Sequence, residues 1–232
     1  MSRGALHWVM SRSVPIVPAQ FDDPLSIFPR LITKLFSLWV DATYPFESLG
    51  SNLSIHHTTL LNRRVAPAIR LGNSLMIRKD AWINTFDISD GEGQPKIIID
   101  DNCLIGARDV ISAKNLIHIE HDVIIGTSVL IQDHNHAYED ISRPIRAQGL
   151  TAGGKIRIEQ GCWIGHGAAI VCNQDELVIG RNSVIAANAL VTKSFPPYSV
   201  IVGNPARLAR QFDPEKGTWV GATSRQLVAE HR

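Results

Sequence analysis

An aliphatic residue returns at every sixth position along much of the chain. The recurrences form five groups of three: Leu71, Ile77, Ile83; Ile99, Ile105, Ile111; Ile119, Ile125, Ile131; Ile158, Ile164, Ile170; and Ile179, Ile185, Val191. A half-buried strand alternates every second residue and a helix repeats about every 3.6, so neither maintains this period. A fixed short period is typical of solenoid proteins. The pattern predicts an all-β parallel β-helix of about five to six triangular coils, with residues 47–65 as an irregular first coil.

Small residues and turn formers occupy the positions between the aliphatic ones. Glycine directly follows the aliphatic residue at Gly72, Gly106, Gly126, Gly165 and Gly180. Four positions after an aliphatic residue lie Ala81, Cys103, Val123, Val129, Cys162, Ala168, Ser183 and Ala189. Corners such as Gly72-Asn73, Asp101-Asn102 and Arg181-Asn182 suit tight turns in which a positive φ is accessible. Because Cys172 lies near a corner and no CxxC pair occurs, we interpret all three cysteines as reduced apolar filler.

The two ends of the chain follow other patterns, which divide it into 1–46, a β-helix at 47–203 and a tail at 204–232. Residues 1–24 show no period, whereas 25–40 predict a short apolar helix after Pro29. This helix is too short to span a bilayer, and no signal-peptide cleavage pattern follows it. It is predicted to cap the open prism end, contact another subunit or lie on a membrane surface. After Pro205 we expect a loop at Gln211–Thr218 and a helical cap near Ser224–Arg232.

The net charge and the length of the chain limit the kinds of molecule it is expected to bind and the size of its core. The chain has 232 residues and a formal net charge of +1, so no overall field favours nucleic acid or an acidic partner. A chain of this length can bury a sizeable core as one domain with appendages. We therefore expect a cytoplasmic protein, with peripheral contact at the inner face of a membrane as an option left by the N-terminal helix.

Two breaks in the six-residue period are the expected places for chemistry, because a solenoid carries its insertions on one binding face. The first is Ser89–Lys96, which leaves the coil after Asn84. The second runs from His134 to about Lys155 and is long enough to be either functional or disordered. Its aromatic residue Tyr138 and its proline Pro144 favour function.

His134 stands where the chain leaves the coil, three residues after Ile131. Imidazole accepts a proton near neutral pH, so this side chain is a candidate general base for a hydroxyl or amine. The competing interpretation is that His134 and His136 tie the loop to its root. Three nearby acids are candidates to orient the imidazole, and the sequence does not choose among them: Asp133, Glu139 and Asp140.

Several passages together resemble the hexapeptide-repeat O-acetyltransferases, closest to the galactoside, maltose and colanic acid acetyltransferase branch. They are the repeat, DHNH with its loop, KIRIEQGCWIGHGAAI and VIGRNSVIAANALVTKSFPPYSVIVGNPARLAR, within roughly residues 47–212. The resemblance implies a left-handed β-helix, a trimer, and acetyl-CoA bound between neighbouring prisms without a metal. It also implies direct transfer of the acetyl group to an acceptor hydroxyl.

The resemblance assigns roles to particular residues. The general base falls on His134 and the acceptor-side asparagine on Asn84, with Asp90 and His136 as further acceptor-side candidates. On the donor side, it implies Trp163, backbone groups near His166 and Ala187, and the cations Lys193, Arg207 and Arg210 against the adenosine phosphates. The ordinary alternatives are a core or interface tryptophan, a turn-forming asparagine and solvated surface charges.

Three other functions remain open on the residues. A zinc β-helix enzyme of the γ-carbonic anhydrase type needs a third histidine five residues after His166, and that position is Val171. A non-catalytic β-helix that binds a nucleotide-sugar or another protein predicts that replacing His134 leaves function intact. N-acetylation of an amino sugar and acetylation of serine use the same fold, although the serine enzymes usually carry a large helical N-terminal domain.

Overall fold

The computed structural model describes residues 27–86 and 94–221, and in these the chain is a parallel β-helix. Three strands form each coil. The first sheet contains β1 (Ser48–Leu49), β4 (Ile69–Leu71), β7 (Ile97–Ile99), β10 (Leu116–Ile119), β13 (Lys155–Ile158) and β16 (Glu176–Ile179). The second contains β2 (Ser54–Ile55), β5 (Met76–Ile77), β8 (Leu104–Ile105), β11 (Ile124–Ile125), β14 (Trp163–Ile164), β17 (Val184–Ile185) and β19 (Ser199–Val202). The third contains β3 (Leu60–Leu61), β6 (Trp82–Thr85), β9 (Val110–Ala113), β12 (Leu130–Gln132), β15 (Ala169–Val171) and β18 (Leu190–Val191).

The aliphatic residues of the six-residue period form the core. In the first sheet, Leu71, Ile99, Ile119, Ile158 and Ile179 stand in one register column, and the other two sheets repeat this arrangement. All fifteen periodic side chains are buried, none more than 2% exposed. Parallel strand pairing and side-chain stacking therefore use the same register. The predicted β-helix is confirmed, and residues 48–61 supply its first coil, giving six complete coils.

Glycine has a different role from the one predicted for Gly72. The positive φ values occur at other corner residues, among them Asn102 at 59° and Asn182 at 53°. The glycines that follow the aliphatic residues instead allow successive coils to approach closely. A Cβ on Gly165 would lie 2.6 Å from the backbone nitrogen of Ala187. Most of the left-handed corner positions are thus filled by Asn, Asp and Ser, with Gly161 and Gly167 at two others, while the glycines that directly follow the aliphatic residues provide room for stacking.

The helix α1 (Ile27–Thr43) covers the open end of the first coil. Pro29 lies in its first turn, where a missing N–H costs no helical hydrogen bond. Ser37 and Val40 are buried, and the Ile55 N–H donates to Ser37 Oγ at 2.9 Å. The predicted apolar helix and its capping role are confirmed. Within the described parts of the chain, no helix is long and apolar enough to cross a membrane.

The other end of the prism closes with a hairpin. Strand β20 (Arg207–Asp213) runs antiparallel to β19, and β21 (Thr218–Gly221) pairs antiparallel with β20. The loop predicted at Gln211–Thr218 is right only for residues 214–217, which form the turn of the hairpin. The flanking residues belong to β20 and β21, and Gln211 pairs with Ser199 on the open edge that β19 leaves. Backbone pairing at an edge outweighs the polar side chains that made the segment look like a loop. The helix predicted near Ser224–Arg232 lies outside the described residues.

Candidate active site

The long insertion begins directly after β12 and returns to β13, as predicted. Its stem is held by backbone and side-chain bonds. Asn135 N–H donates to Thr151 Oγ1 at 2.9 Å, and Thr151 N–H donates to Asn135 carbonyl oxygen at 2.8 Å. The side chain of Gln132 donates to the His134 carbonyl oxygen at 2.6 Å. Backbone and amide groups therefore fix the root of the loop, so the imidazole of His134 is not needed for that task.

His134 is buried at this root, with 4% of its surface exposed. Its Nδ1 lies 2.9 Å from Asp133 Oδ1. The ring of Phe86 packs edge-on against the imidazole, with centroids 4.9 Å apart. Nε2 has no hydrogen-bond partner among the described residues. Because a carboxylate accepts hydrogen bonds, Nδ1 donates to Asp133 and Nε2 retains the lone pair that a general base needs.

Asp133 is fully buried and its carboxylate is held by the chain of the preceding coil. Its Oδ1 accepts from Lys114 N–H at 2.7 Å, and its Oδ2 accepts from Asn115 N–H at 2.7 Å and Leu116 N–H at 2.9 Å. Three backbone donors and the imidazole thus fix both oxygens. Among the three candidate acids, Asp133 is the one that orients His134.

The other two acids bond within the loop. Glu139 accepts from Tyr138 N–H at 3.0 Å, and Asp140 accepts from Ser142 N–H at 3.0 Å. His136 is exposed and forms a backbone bridge with Leu150 on the opposite side of the stem. It therefore contributes to the stem through its backbone, and its imidazole faces outward near the loop root.

Asn84 lies on the same side of the prism as His134. It pairs with Ser112, which in turn pairs with Gln132, so two coils separate Asn84 from the root of the loop. That is roughly 10 Å along the stack. Asn84 is half-buried at the end of its strand. Asp90 and most of the predicted first insertion lie outside the described residues, although Lys96 Nζ donates to Phe86 carbonyl oxygen at 2.8 Å beside it.

The predicted donor-side residues Trp163, His166 and Ala187 lie elsewhere on the chain, at the second sheet and the corner that follows it. Trp163 is 54% exposed, which contradicts the interpretation of this tryptophan as a core residue. His166 Nδ1 lies 2.6 Å from Thr127 Oγ1, one coil below. Ala187 is exposed one coil above His166. The backbone N–H groups of His166 and Ala187 have no acceptor within the described segments.

The predicted cations lie near the C-terminal end of the prism. Lys193 follows β18 at the corner between the third and first sheets, two coils above Asp133. Its ammonium lies 5.7 Å from the ring centre of Phe195. Arg207 and Arg210 are exposed on β20. A single chain therefore brings His134, Asn84 and Lys193 to one side and places Trp163, His166 and Ala187 around another corner.

No pattern in the sequence signals the backbone donors around Asp133. They come from Lys114, Asn115 and Leu116, which are about twenty positions earlier in the chain. Only the stacking of one coil on the next brings them to the carboxylate. The closed loop stem depends in the same way on contacts between coils, such as the bonds from Asn115 Nδ2 to the carbonyl oxygens of Ala152 and Gly154. In residues 27–86 and 94–221, no group of three or more His, Cys, Asp or Glu side chains is placed to hold a metal.

Comparison with known proteins gives relatives that are named as acetyltransferases. The chain is 33% identical over 111 residues to a probable acetyltransferase of Mycobacterium tuberculosis, a match that covers 45% of this chain and 36% of the relative. It is 26% identical over 136 residues to a putative lipopolysaccharide biosynthesis O-acetyl transferase of Escherichia coli, covering 56% of this chain and 68% of the relative. The chain thus spans about a third of the first relative and two thirds of the second. No family model matches the chain.

A solved structure shares the fold. It is AntD, an N-acyltransferase from Bacillus cereus, crystallised with dTDP and 3-hydroxybutyryl-CoA. The TM-score is 0.58 and the identity 19%, over 80% of this chain and 88% of AntD. This likeness establishes the architecture, the left-handed parallel β-helix found among hexapeptide-repeat acetyltransferases.

Proposed function

We propose that this chain is an acetyl-CoA-dependent O-acetyltransferase that acts on a hydroxyl of a sugar or a surface-polysaccharide precursor. The observation that carries the proposal is the buried His134–Asp133 pair at the root of the loop, 2.9 Å apart. It supplies an oriented base on a fold that acyltransferases use. The names of the relatives support acyl transfer, and one of them is named for lipopolysaccharide biosynthesis.

The chemistry would be a direct transfer in a ternary complex. His134 Nε2 takes the proton of the acceptor hydroxyl while the oxygen attacks the thioester carbonyl. The resulting imidazolium is stabilised by the Asp133 carboxylate at Nδ1. Collapse of the tetrahedral intermediate breaks the carbon–sulfur bond, and the leaving CoA thiolate recovers the proton from Nε2. No covalent acyl-enzyme is needed, because proximity of the two bound substrates lowers the barrier.

The donor surface is proposed at Trp163, His166 and Ala187. The N–H groups of His166 and Ala187, which have no acceptor within the described segments, lie one coil apart, a spacing that suits the two amides of a pantetheine arm. The exposed indole of Trp163 supplies an apolar wall beside them. Lys193, Arg207 and Arg210 would neutralise the adenosine phosphates, for which cationic donors are the natural partners.

The acceptor surface is proposed around Asn84 and the loop root. Asn84 can donate and accept hydrogen bonds with sugar hydroxyls, and it lies on the same side of the prism as His134. The exposed imidazole of His136 is the next polar group along the loop. We retain Asp90 as an acceptor-side candidate on sequence grounds.

We infer that the active form is a homotrimer with its sites between subunits. The outward column of the second sheet is apolar on six successive strands, from β5 to β19: Met76, Leu104, Ile124, Trp163, Val184 and Val200. By contrast, the first sheet carries the charged pairs Arg70–Glu47 and Arg157–Glu120. A neighbouring copy would cover the apolar column and bring its donor surface toward His134, which a single chain does not do.

A second candidate is N-acetylation of an amino sugar, favoured by the fold shared with an N-acyltransferase. The oriented His134–Asp133 pair favours the hydroxyl, because an alcohol is a poor nucleophile until its proton is removed, whereas a neutral amine attacks without that help. A reducing cytoplasm fits the three buried free cysteines.

The decisive experiment measures CoA release from acetyl-CoA with matched sugars that carry either a hydroxyl or an amine at one position. The product is then treated with alkaline hydroxylamine, which cleaves an ester and leaves an amide intact. A labile product from the hydroxyl sugar supports O-acetylation. Turnover confined to the amine, with a stable product, would assign N-acetylation instead, and turnover with neither would remove the acyltransferase proposal for these acceptors.

A further inference from the structure

The helix α1 presents a broad apolar face to solvent. Its large side chains are between 46% and 77% exposed: Ile27, Phe28, Leu31, Ile32, Leu35, Leu38 and Trp39. At 100° per residue, these positions cover one continuous arc of the helix. Single exposed apolar residues are common on proteins, whereas a contiguous face of this size marks a binding surface.

The opposite face of α1 is fixed to the first coil. Ser37 and Val40 are buried, and Ser37 Oγ bonds the backbone of Ile55 through both its N–H and its carbonyl oxygen, at 2.9 and 3.2 Å. The Tyr44 hydroxyl donates to the Leu61 carbonyl oxygen at 3.3 Å. The helix therefore cannot turn its apolar face into the prism without losing these contacts.

Cations border the apolar face on one side. Thr33 lines a cavity of about 390 Å³ between α1 and the foot of the second sheet, together with His56, Arg78 and Lys79. The side chains of Arg78 and Lys79 form no hydrogen bond or ion pair within the described segments. By helical geometry, Arg30 and Lys34 lie between Thr33 and the apolar arc.

Acids are few on this border. Asp41 is the only carboxylate in α1 and stands two turns after Lys34, while Asp80 follows Lys79 at the coil corner. Among the described residues, the four cations Arg30, Lys34, Arg78 and Lys79 thus outnumber these two acids. A solvent-facing apolar arc with a cationic margin is the composition of helices that lie in the plane of an anionic membrane surface.

We propose that α1 docks this chain on an anionic phospholipid bilayer. The apolar arc would insert at the boundary between headgroups and acyl chains, and the cationic margin would contact lipid phosphates. At 17 residues, α1 is shorter than the roughly 20 that a spanning helix needs, so it lies on the surface. The homotrimer inferred above strengthens the contact, because a cyclic trimer holds three copies of α1 at one height along its axis.

The test is co-sedimentation of the full chain with vesicles of phosphatidylcholine alone or mixed with an equal part of phosphatidylglycerol, without acetyl-CoA. The paired variant Leu31→Gln and Leu35→Gln removes apolar area without touching the buried face. Ile141→Gln is the matched control, because Ile141 is fully exposed on the distant loop. We expect tighter binding to the anionic vesicles, a loss of about tenfold or more in the paired variant, and no change in the control.

A second pair separates charge from apolar area. Lys34→Ala with Lys79→Ala should weaken binding to the anionic vesicles about tenfold or more and leave the weak binding to phosphatidylcholine unchanged. The proposal is wrong if the wild type sediments with neither kind of vesicle. It is also wrong if the variant with both Leu31 and Leu35 replaced binds anionic vesicles as tightly as the wild type. A smaller oligomer for that variant in vesicle-free solution would assign the face to a contact between copies, which also overturns it.

These outcomes are separate from those for the proposed function. Vesicle binding is measured without substrate, so it holds or fails whatever the chain acetylates. Turnover of a water-soluble acceptor by the Leu31 and Leu35 variant should match wild type, and an unchanged unfolding temperature would show that its fold is intact. Loss of vesicle binding with retained turnover would thus assign α1 to membrane docking alone.

Discussion

The Asp133 carboxylate bonds His134 Nδ1 at 2.9 Å while its two oxygens also accept three backbone N–H groups from the coil below. The carboxylate is thus held by the β-helix itself rather than by the insertion that follows it. It fixes the direction of the imidazole and leaves Nε2 for an acceptor. Under the proposed function, this geometry prepares His134 to act as a general base before the substrate binds.

The first prediction concerns the base. His134→Ala should lower kcat by about a hundredfold or more, because proton removal from the acceptor is lost, while acetyl-CoA still binds. CoA release at saturating substrates measures the first effect and calorimetry the second. His121→Ala is the matched control and should retain most of the rate, since this exposed histidine pairs with Asp122 at another corner of the same coil. Turnover of the His134 variant within a few-fold of wild type would remove this histidine from the mechanism.

The second prediction concerns the positioning residue. In Asp133→Asn, an amide NH₂ replaces one carboxylate oxygen. This donor then faces backbone N–H groups that donate to an oxygen in the wild type, and the imidazolium loses its counter-charge. We expect kcat to fall by about tenfold to a hundredfold with an unchanged KM for acetyl-CoA, and the unfolding temperature to fall as well.

The matched control is Asp140→Asn, since Asp140 bonds only within the exposed loop. It should leave both quantities near wild type. A stable Asp133 variant with normal kcat would show that the carboxylate does not orient the base.

The third prediction concerns the phosphates of CoA. Lys193→Ala and Arg207→Ala should each raise the Kd for acetyl-CoA by about tenfold, because each removes a charge-assisted contact. If either cation meets the 3′-phosphate, its variant will bind dephospho-CoA as wild type does. Arg108→Ala, at an exposed corner of the third coil, is the control for a lost surface arginine. Unchanged Kd values in both variants would place the phosphates elsewhere.

The fourth prediction concerns Asp109, which is 1% exposed inside the prism. Its Oδ1 accepts from Val129 N–H at 2.9 Å, whereas Oδ2 has no partner in the part of the chain that the structure describes. Burial raises the pKa of this carboxyl to about 7. The carboxyl ionises near pH 4 in the unfolded state, so its contribution to stability is fully present below that pH and is lost as pH rises toward about 7.

Thermal unfolding between pH 4 and 8 tests this linkage. The unfolding temperature of Asp109→Asn should lose this part of the pH dependence, whereas Asp80→Asn, at an exposed corner, should follow wild type. If Asp109→Asn shows the same pH slope as wild type, the carboxyl does not titrate in this range and the assignment is wrong.

The fold was largely predictable because each periodic residue faces the core once per strand. Ile99, Ile119 and Ile158 follow the same rule at every coil, so a local pattern specifies a long-range register. The rule ends where β19 leaves an open edge. There the polar segment from Arg207 onward forms a strand because the backbone N–H and C=O groups of β19 are unpaired on that side. The local sequence pattern of the segment does not show that such an edge lies beside it.

The site was predictable in part. His134 is marked by its place at the break in the period, and the resemblance to known acetyltransferases supplied Asn84, Trp163 and the cations. The choice of Asp133 over Glu139 depends on backbone donors of another coil, which the sequence places far away. The acceptor-side role of Asp90, the functions of the other predicted residues and the placement of the site between subunits stay predictions.

The most direct test of the account is calorimetric titration of the purified, chelator-treated chain with acetyl-CoA, for wild type and His134→Ala in parallel. We expect one site per chain, micromolar-range affinity, and nearly the same affinity in the variant. Absence of binding to wild type would contradict the acyltransferase proposal and the donor surface around Trp163 together.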